Sequence, residues 1–363
     1  MKKLFLFTAL FFFANQILSA QEAGSKTASV KNAAENITWA EAREIVLREN
    51  PNIKTAFLTL QNAELAYKRA LGELAPDISF SASAGESLNG EVSKSLSYGA
   101  NASLSIFSGF SNVNTIKQRK AELENAKAKY KRIVSDTAYN LSAAYINLIW
   151  GYETADLLEK IKNRRTENKE MIKLRYNSGN VDLGSLKRVE ADVAMSELNL
   201  RKAQRYIETA SIALLEILGS AEEEKILKPG EKFPDYRNRR FYKPNFSKQV
   251  EEIPEYISAY FENEAAQYSY KNAKSVLYPS VNFSASISNS NNDWAFDNMQ
   301  TRTNLSLNIS YPLLRFSNFI DIKSAYNRME QAQNNLKAVK NSLFAESVSN
   351  FHSLFDAKET LEA

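Results

Sequence analysis

One stretch of this chain is written twice, and that duplication limits the possible folds more than any bulk property does. Residues 51–110 and 254–316 share one order of features. A polar helical run carries a Tyr-Lys pair (Tyr67-Lys68, Tyr270-Lys271), and a proline ends it (Pro76, Pro279). An alternating run follows, Ile78-Ser79-Phe80-Ser81-Ala82-Ser83 in one copy and Val281-Asn282-Phe283-Ser284-Ala285-Ser286 in the other. A polar loop, a second alternating run and a long helix complete each unit. The register holds at 203 positions from Pro51 to Ser83, whereas the Phe-Ser-Asn triplets at Phe110 and Phe316 lie 206 apart, so one loop is three residues longer. A unit of this size repeated in order predicts an architecture built twice.

The alternation has period two, which separates the two faces of each strand. One face takes Ile78, Phe80, Leu104, Ile106, Val281, Phe283, Leu305, Leu307 and Ile309. The other takes Ser79, Ser81, Asn101, Ser103, Asn282, Ser284, Ser306 and Asn308, a Ser/Asn lining without charge. Apolar-out, polar-in strands of about ten residues are what a membrane barrel needs. Two soluble hairpins, each with one face on a core, satisfy the same pattern.

Composition removes several function classes. There is no cysteine and a single histidine, His352. Thiol chemistry, zinc-type sites and histidine acid–base catalysis therefore lack their residues, and no cofactor or metal site is expected. The formal charge of +4 is spread along the chain, which is no polyanion-binding signature. Paired carboxylates (Glu222-Glu223-Glu224, Glu251-Glu252) fall in charge-rich stretches that read as solvated surface. No catalytic residue is assigned, and the chain is not expected to be an enzyme.

Five segments follow in order. Residues 1–20 read as a cleaved secretory signal, with Lys2 and Lys3, an apolar core, and Leu18-Ser19-Ala20 as the cleavage site. Residues 21–36 are a polar, flexible leader. Residues 37–219 form the first repeat, opened by the capping box Thr38-Trp39-Ala40-Glu41 and by Asn50-Pro51 as cap and first residue of the next helix. Residues 85–97, rich in Ser and Gly, read as the loop between its strands. Residues 109–175 contain no proline, and only Gly109 and Gly151 break the helical composition. At 1.5 Å per residue such a helix is about 100 Å long. Tyr176-Asn177-Ser178-Gly179-Asn180 ends it. The return helix keeps a strict heptad: Leu186, Val193, Leu200, Ile207 and Leu214 against Val189, Ser196, Ala203, Ala210 and Ile217. Residues 220–247, with Pro229, Pro234 and Pro244, form an irregular side region, and residues 248–363 are the second repeat. The predicted fold class is mainly α with a small β part: long helical coiled-coil hairpins and four strands per chain.

In combination these residues resemble the TolC family of outer-membrane efflux channels. The likeness rests on Ile37-Thr38-Trp39-Ala40-Glu41-Ala42 with Glu49-Asn50-Pro51, on the helix–proline–strand junctions at 71–80 and 277–283, and on Ile106-Phe107-Ser108-Gly109-Phe110. Arg175-Tyr176-Asn177-Ser178-Gly179-Asn180-Val181 is similar to the family's helix-tip turn, and Ile217-Leu218-Gly219 closes the return helix. At the tip the chain departs from the family, with Asp182 early and Ser185 later. The resemblance implies a homotrimer in which each chain gives four strands to a twelve-stranded barrel in the outer membrane and its helices to a periplasmic tunnel. It implies an outer-membrane channel component of a tripartite efflux or type I secretion system, a passive conduit from periplasm to exterior. It implies a tip at Arg175, Tyr176, Ser178, Gly179 and Asp182 that docks a periplasmic adaptor (membrane fusion protein) serving an inner-membrane pump. The competing reading is a soluble periplasmic coiled-coil adaptor or scaffold, which has no use for four strands with apolar outer faces. Measured against the first repeat, the second is expected to be missing a tip turn and a return helix, about 60 residues. On that reading an apolar helix face is left unpaired over residues 336–361.

Overall fold

A computed structural model describes residues 36–89, 91–220, 225–231, 242–294 and 296–362. The secretory signal, nearly all of the leader, and the Glu222-Glu223-Glu224 run lie outside the described residues. The elements in order are β1 (Asn36–Ile37), α1 (Trp39–Glu49), α2 (Pro51–Gly72), β2 (Asp77–Asn89), β3 (Glu91–Ser108), α3 (Ser111–Asn177) and α4 (Leu183–Leu218). Then come β4 (Lys228–Pro229), α5 (Phe246–Glu252), α6 (Pro254–Ala273), β5 (Ser280–Asn291), β6 (Gln300–Ser310) and α7 (Phe316–Glu362).

Local chemistry sets the joints. Thr38 and Glu41 complete the capping box that starts α1. Asn50 is buried and does two things at once. Its Oδ1 accepts from Asn52 N and Ile53 N, capping α2, while its Nδ2 donates to the Ile217 carbonyl at 2.8 Å. The start of the upper helix is thereby tied to the end of the return helix. Around that tie lies the main core, where α1, α3, α4 and the β1–β4 pair meet: Ile37, Val46, Leu141, Tyr145, Leu148, Leu214, Leu215, Leu218 and Leu227. Its polar groups are satisfied, with Tyr145 Oη donating to the Ile37 carbonyl and Leu227 N donating to Ser211 Oγ.

The 67-residue α3 is about 100 Å long. It packs antiparallel on the 36-residue α4. The heptad faces α3 as expected: Leu186, Val193, Ile207 and Leu214 are buried, as are the small Ser196, Ala203 and Ala210. Gly151 does not break α3. A Cβ there would press within 3.2–3.3 Å of Tyr206 and Ile207, so glycine marks the close crossing with α4.

Above the core, helices and strands follow one order. The sheet runs β2-β3-β5-β6. The helices that carry the strands pack α2-α3-α6-α7. A polar seam fixes the central joint: Ser111 Oγ donates to Asn272 Oδ1 at 2.7 Å, Asn272 Nδ2 donates to Thr115 Oγ1 at 3.2 Å, and Ser258 Oγ donates to Asn125 Oδ1 at 2.6 Å. These bonds hold α3 against α6 and so bring β3 beside β5.

The strands are longer than the alternation alone suggested. Residues 85–97 are not a loop, because β2 and β3 stay paired up to Asn89 and Glu91. Serine and glycine are weak strand formers, but a partner at every ladder position outweighs intrinsic preference.

Candidate functional site: a two-faced sheet and a helical tip

Three antiparallel ladders bring the four strands into common rows. Ile78, Ala102, Ala285 and Leu305 share one row, and Phe80, Ala100, Ile287 and Thr303 the next. Below them lie Leu104, Phe283 and Leu307, then Phe107, Val281 and Ile309. From the row of Val281 to that of Ile287 the apolar band runs about 20 Å along the strands. Its side chains have no cover: Ile78 is 75% exposed, Ile309 70% and Leu305 68%. A water-facing sheet would leave that whole area as an adhesive patch.

The opposite face is polar. Its rows are Ser79, Asn101, Ser286 and Asn304; Asp77, Ser103, Ser284 and Ser306; and Ser81, Gly99, Ser288 and Arg302. Asn282 and Asn308 pair in the next row toward the helices, and Ser108, Ser280 and Ser310 form the row nearest them. Hydroxyl pairs bridge neighbouring strands, Ser83 with Ser97 at 2.8 Å and Ser284 with Ser306 at 2.6 Å. Gly99 sits where β3 presses on β5, and a Cβ there would lie 2.6 Å from the Ile287 carbonyl oxygen.

Two readings of the sheet need correction. The polar lining is not uncharged. β2 begins at Asp77 and β6 at Gln300, so Asp77 and Arg302 both join the polar rows. The parity that finds Ser79 and Asn304 also finds them, once the strands are given their full length. Ile106 is the second correction. It is the extra residue of a bulge, and the register steps from Ser105–Asn282 to Phe107–Val281, so Phe107 takes the apolar row position.

Each repeat turns from sheet to helix at a corner. In the first, Gly109 (φ 62°) and Phe110 (φ 69°) are both left-handed, and a Cβ on Gly109 would collide with the Ser275 carbonyl. Phe110 stacks edge-on against Phe107 and Tyr278, and Ser108 Oγ accepts from Asn112 N. In the second corner Leu313, Leu314 and Phe316 are bare. At the far end of the sheet, the β5–β6 loop folds over the first hairpin: Lys94 Nζ lies 5.1 Å from the Trp294 ring centroid, and Trp294 Nε1 donates to the Gly85 carbonyl.

The α3–α4 tip closes with a short set of bonds. Gly179 is left-handed (φ 77°), and Asn180 N donates to the Arg175 carbonyl while Gly179 N donates to that of Tyr176. Ser178 Oγ donates to the Arg175 carbonyl. Asp182 caps α4 by accepting from Ser185 N at 2.9 Å and Ser185 Oγ at 2.8 Å. Those bonds, the backbone one first, hold its carboxyl below the usual range. Arg175, Tyr176, Ser178, Gly179 and Asp182 thus share one exposed turn region.

No group of side chains suited to a metal ion exists among the described residues, and no described helix is long and apolar enough to cross a membrane. Glu251 is paired with Lys340 at 2.7 Å, and His352 packs beside Phe351. What the described side chains build is a wall with two unlike faces and a rod.

The sequence matches the family described as outer membrane efflux protein over residues 42–220 and 251–363. The fold matches solved structures at low identity. VceC of Vibrio cholerae, an outer membrane protein, aligns with TM-score 0.74 and 19% identity over 89% of this chain and 79% of that one. The CmeC outer membrane channel of Campylobacter jejuni gives 0.73 and 17% over 85% and 68%. The open state of the MtrE outer membrane channel of Neisseria gonorrhoeae gives 0.71 and 16% over 89% and 73%. No curated protein matches by sequence.

Proposed function

The chain belongs to the outer membrane efflux protein family and is an outer-membrane channel component of an efflux system; we propose that it is a passive conduit assembled as a homotrimer. The observation that carries this reading is the sheet. It pairs an exposed apolar band with a hydroxyl wall, and it ends in two open edges, β2 and β6. An open edge beside exposed apolar rows demands further strands. Two copies would give eight strands, an interior that side chains fill, whereas three give twelve and leave a lumen.

In this reading Ile78, Phe80, Leu104, Phe107, Val281, Phe283, Leu305, Leu307 and Ile309 face lipid, and Ser79, Ser81, Asn101, Ser103, Asn282, Ser284, Ser306 and Asn308 face the lumen. At a strand tilt of about 40° these rows stand roughly 15 Å tall, which fits inside the roughly 25 Å apolar belt of an outer-membrane barrel. The residue 1–20 signal directs export and is then cleaved. The helices extend the wall into the periplasm, and the turn at Gly179 docks an adaptor that connects to an inner-membrane pump. The chain performs no chemistry of its own. A soluble adaptor would gain nothing from the bare rows of Leu305, Leu307 and Ile309.

The test is membrane fractionation with crosslinking of the native chain, followed by single-channel recording. Trimers in the outer-membrane fraction that conduct are expected. A soluble periplasmic monomer would overturn the proposal.

A further inference from the structure

We propose that Arg302 sets the charge preference of the conduit, three copies forming a cationic ring that favours anionic solutes such as carboxylates and phosphates. The inference rests on the trimeric wall described above and names what that wall selects. Arg302 lies on the polar face, directly opposite Ser288, in the row that continues to Gly99 and Ser81. Its neighbours along β6 on that face are Gln300 and Asn304, and those on β5 are Ser286 and Ser290. None of these carries charge.

The guanidinium is uncompensated. Among the described residues no hydrogen bond or ion pair reaches the Arg302 side chain, which is exposed. The nearest acids belong to other places. Asp77 stands at the helix end of β2, two polar rows lower; it is three strands and roughly 20 Å away within the chain, and one strand and roughly 14 Å away across the proposed β6–β2 seam, beyond ion-pair reach in both cases. Asp293 and Asp297 lie in the β5–β6 loop beyond the strand. There Asp293 accepts from Trp294 N, and the Asp297 carbonyl accepts from Asn291. In a closed ring β6 meets β2 of the next copy, whose polar face above Asp77 is Ser79, Ser81, Ser83, Gly85 and Ser87.

Scale decides whether three charges matter in a pore. Twelve strands about 4.8 Å apart, tilted by about 40°, enclose a circle of roughly 12 Å radius. The Debye length at 0.1 M salt is about 10 Å. An arginine stem carries its charge off the wall toward the axis. No path through that level therefore escapes the ring. Three charges about 8 Å from the axis, screened by salt, change the anion-to-cation ratio by roughly fivefold.

The experiment reconstitutes the purified chain in planar bilayers and reads the reversal potential across a KCl gradient. Against the native channel, Arg302→Gln should lower the chloride-to-potassium permeability ratio roughly fivefold, and Arg302→Lys should retain the native ratio. Ser288→Glu, which sets a carboxylate opposite an intact Arg302, should give the same loss as Arg302→Gln and serves if that variant fails to assemble. Conducting Arg302→Gln or Ser288→Glu channels with the native ratio would overturn the inference and leave the conduit standing. A native chain that never conducts would overturn both, so the two failures are distinguishable.

Discussion

The two sheet-to-helix corners have the same ancestry in sequence and opposite circumstances in the fold. At the first, Phe110 meets Phe107 and Tyr278 at ring-centroid distances of 5.1 and 5.7 Å, and Gly109 fits under the Ser275 carbonyl. At the second, Leu313 is 86% exposed and Phe316 78%. The first corner is completed by the second repeat of its own chain. Nothing among the described residues covers the second. In the proposed trimer the other half of the contact comes from the next copy, with α2 and the start of β2 in the place that α6 and Tyr278 take inside the chain.

The largest effect should come from treating the two repeats as one lipid-facing surface. Leu104 and Leu307 share a row, one from each repeat. Arginine at either should cost about 2–4 kcal/mol per copy if the row lies near mid-bilayer, and should abolish stable insertion. Arginine at the adjacent Ser103 or Ser306 should insert normally. Heat-modifiable mobility on gels reads this directly, and equal tolerance at Leu104 and Ser103 would dissolve the assigned faces.

Next in size is the corner itself. Gly109→Val forces a β-branched residue into a left-handed backbone and against a carbonyl, for about 3 kcal/mol or more. The matching position in the second repeat is Arg315, and Arg315→Val should leave protomer folding unchanged. Denaturation of detergent-solubilised protomers separates the two. Smaller again is Phe110→Ala, which removes two edge-to-face contacts worth about 0.5–1.5 kcal/mol each and lowers protomer stability. Phe316→Ala should leave the protomer intact and weaken only the crosslinked trimer. If Phe316→Ala instead lowers protomer stability as much as Phe110→Ala, the second corner has its partner within the chain.

Much of this was legible before any coordinates. The period-two runs identified both faces of the sheet, and the heptad over residues 186–217 identified the face of α4 that meets α3. What the pattern could not supply is where pairing stops. Asp77 and Arg302 were missed because strand ends are decided by the neighbouring strand, not by the propensity of Asp, Gln or Arg. The hairpin beyond Gly85 was missed for the same reason. Ile106 was assigned by unbroken parity, which a single bulged residue resets. Gly99 and Gly151 carry no local signal at all. Each marks a close approach by a segment distant in sequence, β5 for one and α4 for the other.

The smallest expected effect is at the tip of the first repeat. The Asp182 carboxyl is held below the ordinary range by Ser185, so its cap is intact above the unfolded value and is lost as pH falls through the depressed folded one. Asp182→Asn should keep the cap and remove that dependence. Amide exchange around Ser185 at pH 3 and pH 6 measures it. A pH response identical in the variant would show that another group governs the turn.

The strands and the helices that carry them keep one order across the molecule, β2-β3-β5-β6 over α2-α3-α6-α7. Each chain is therefore a broad stave, with straight sides through sheet and helix alike. In the proposed ring, a missing stave opens a slit along both layers. It bares strand edges to lipid and helix faces to water together. No partial ring is nearly sealed, so a cell meets either the finished pipe or pieces too unfavourable to persist. The uninterrupted order of the elements is in that sense a guard against leaks during assembly.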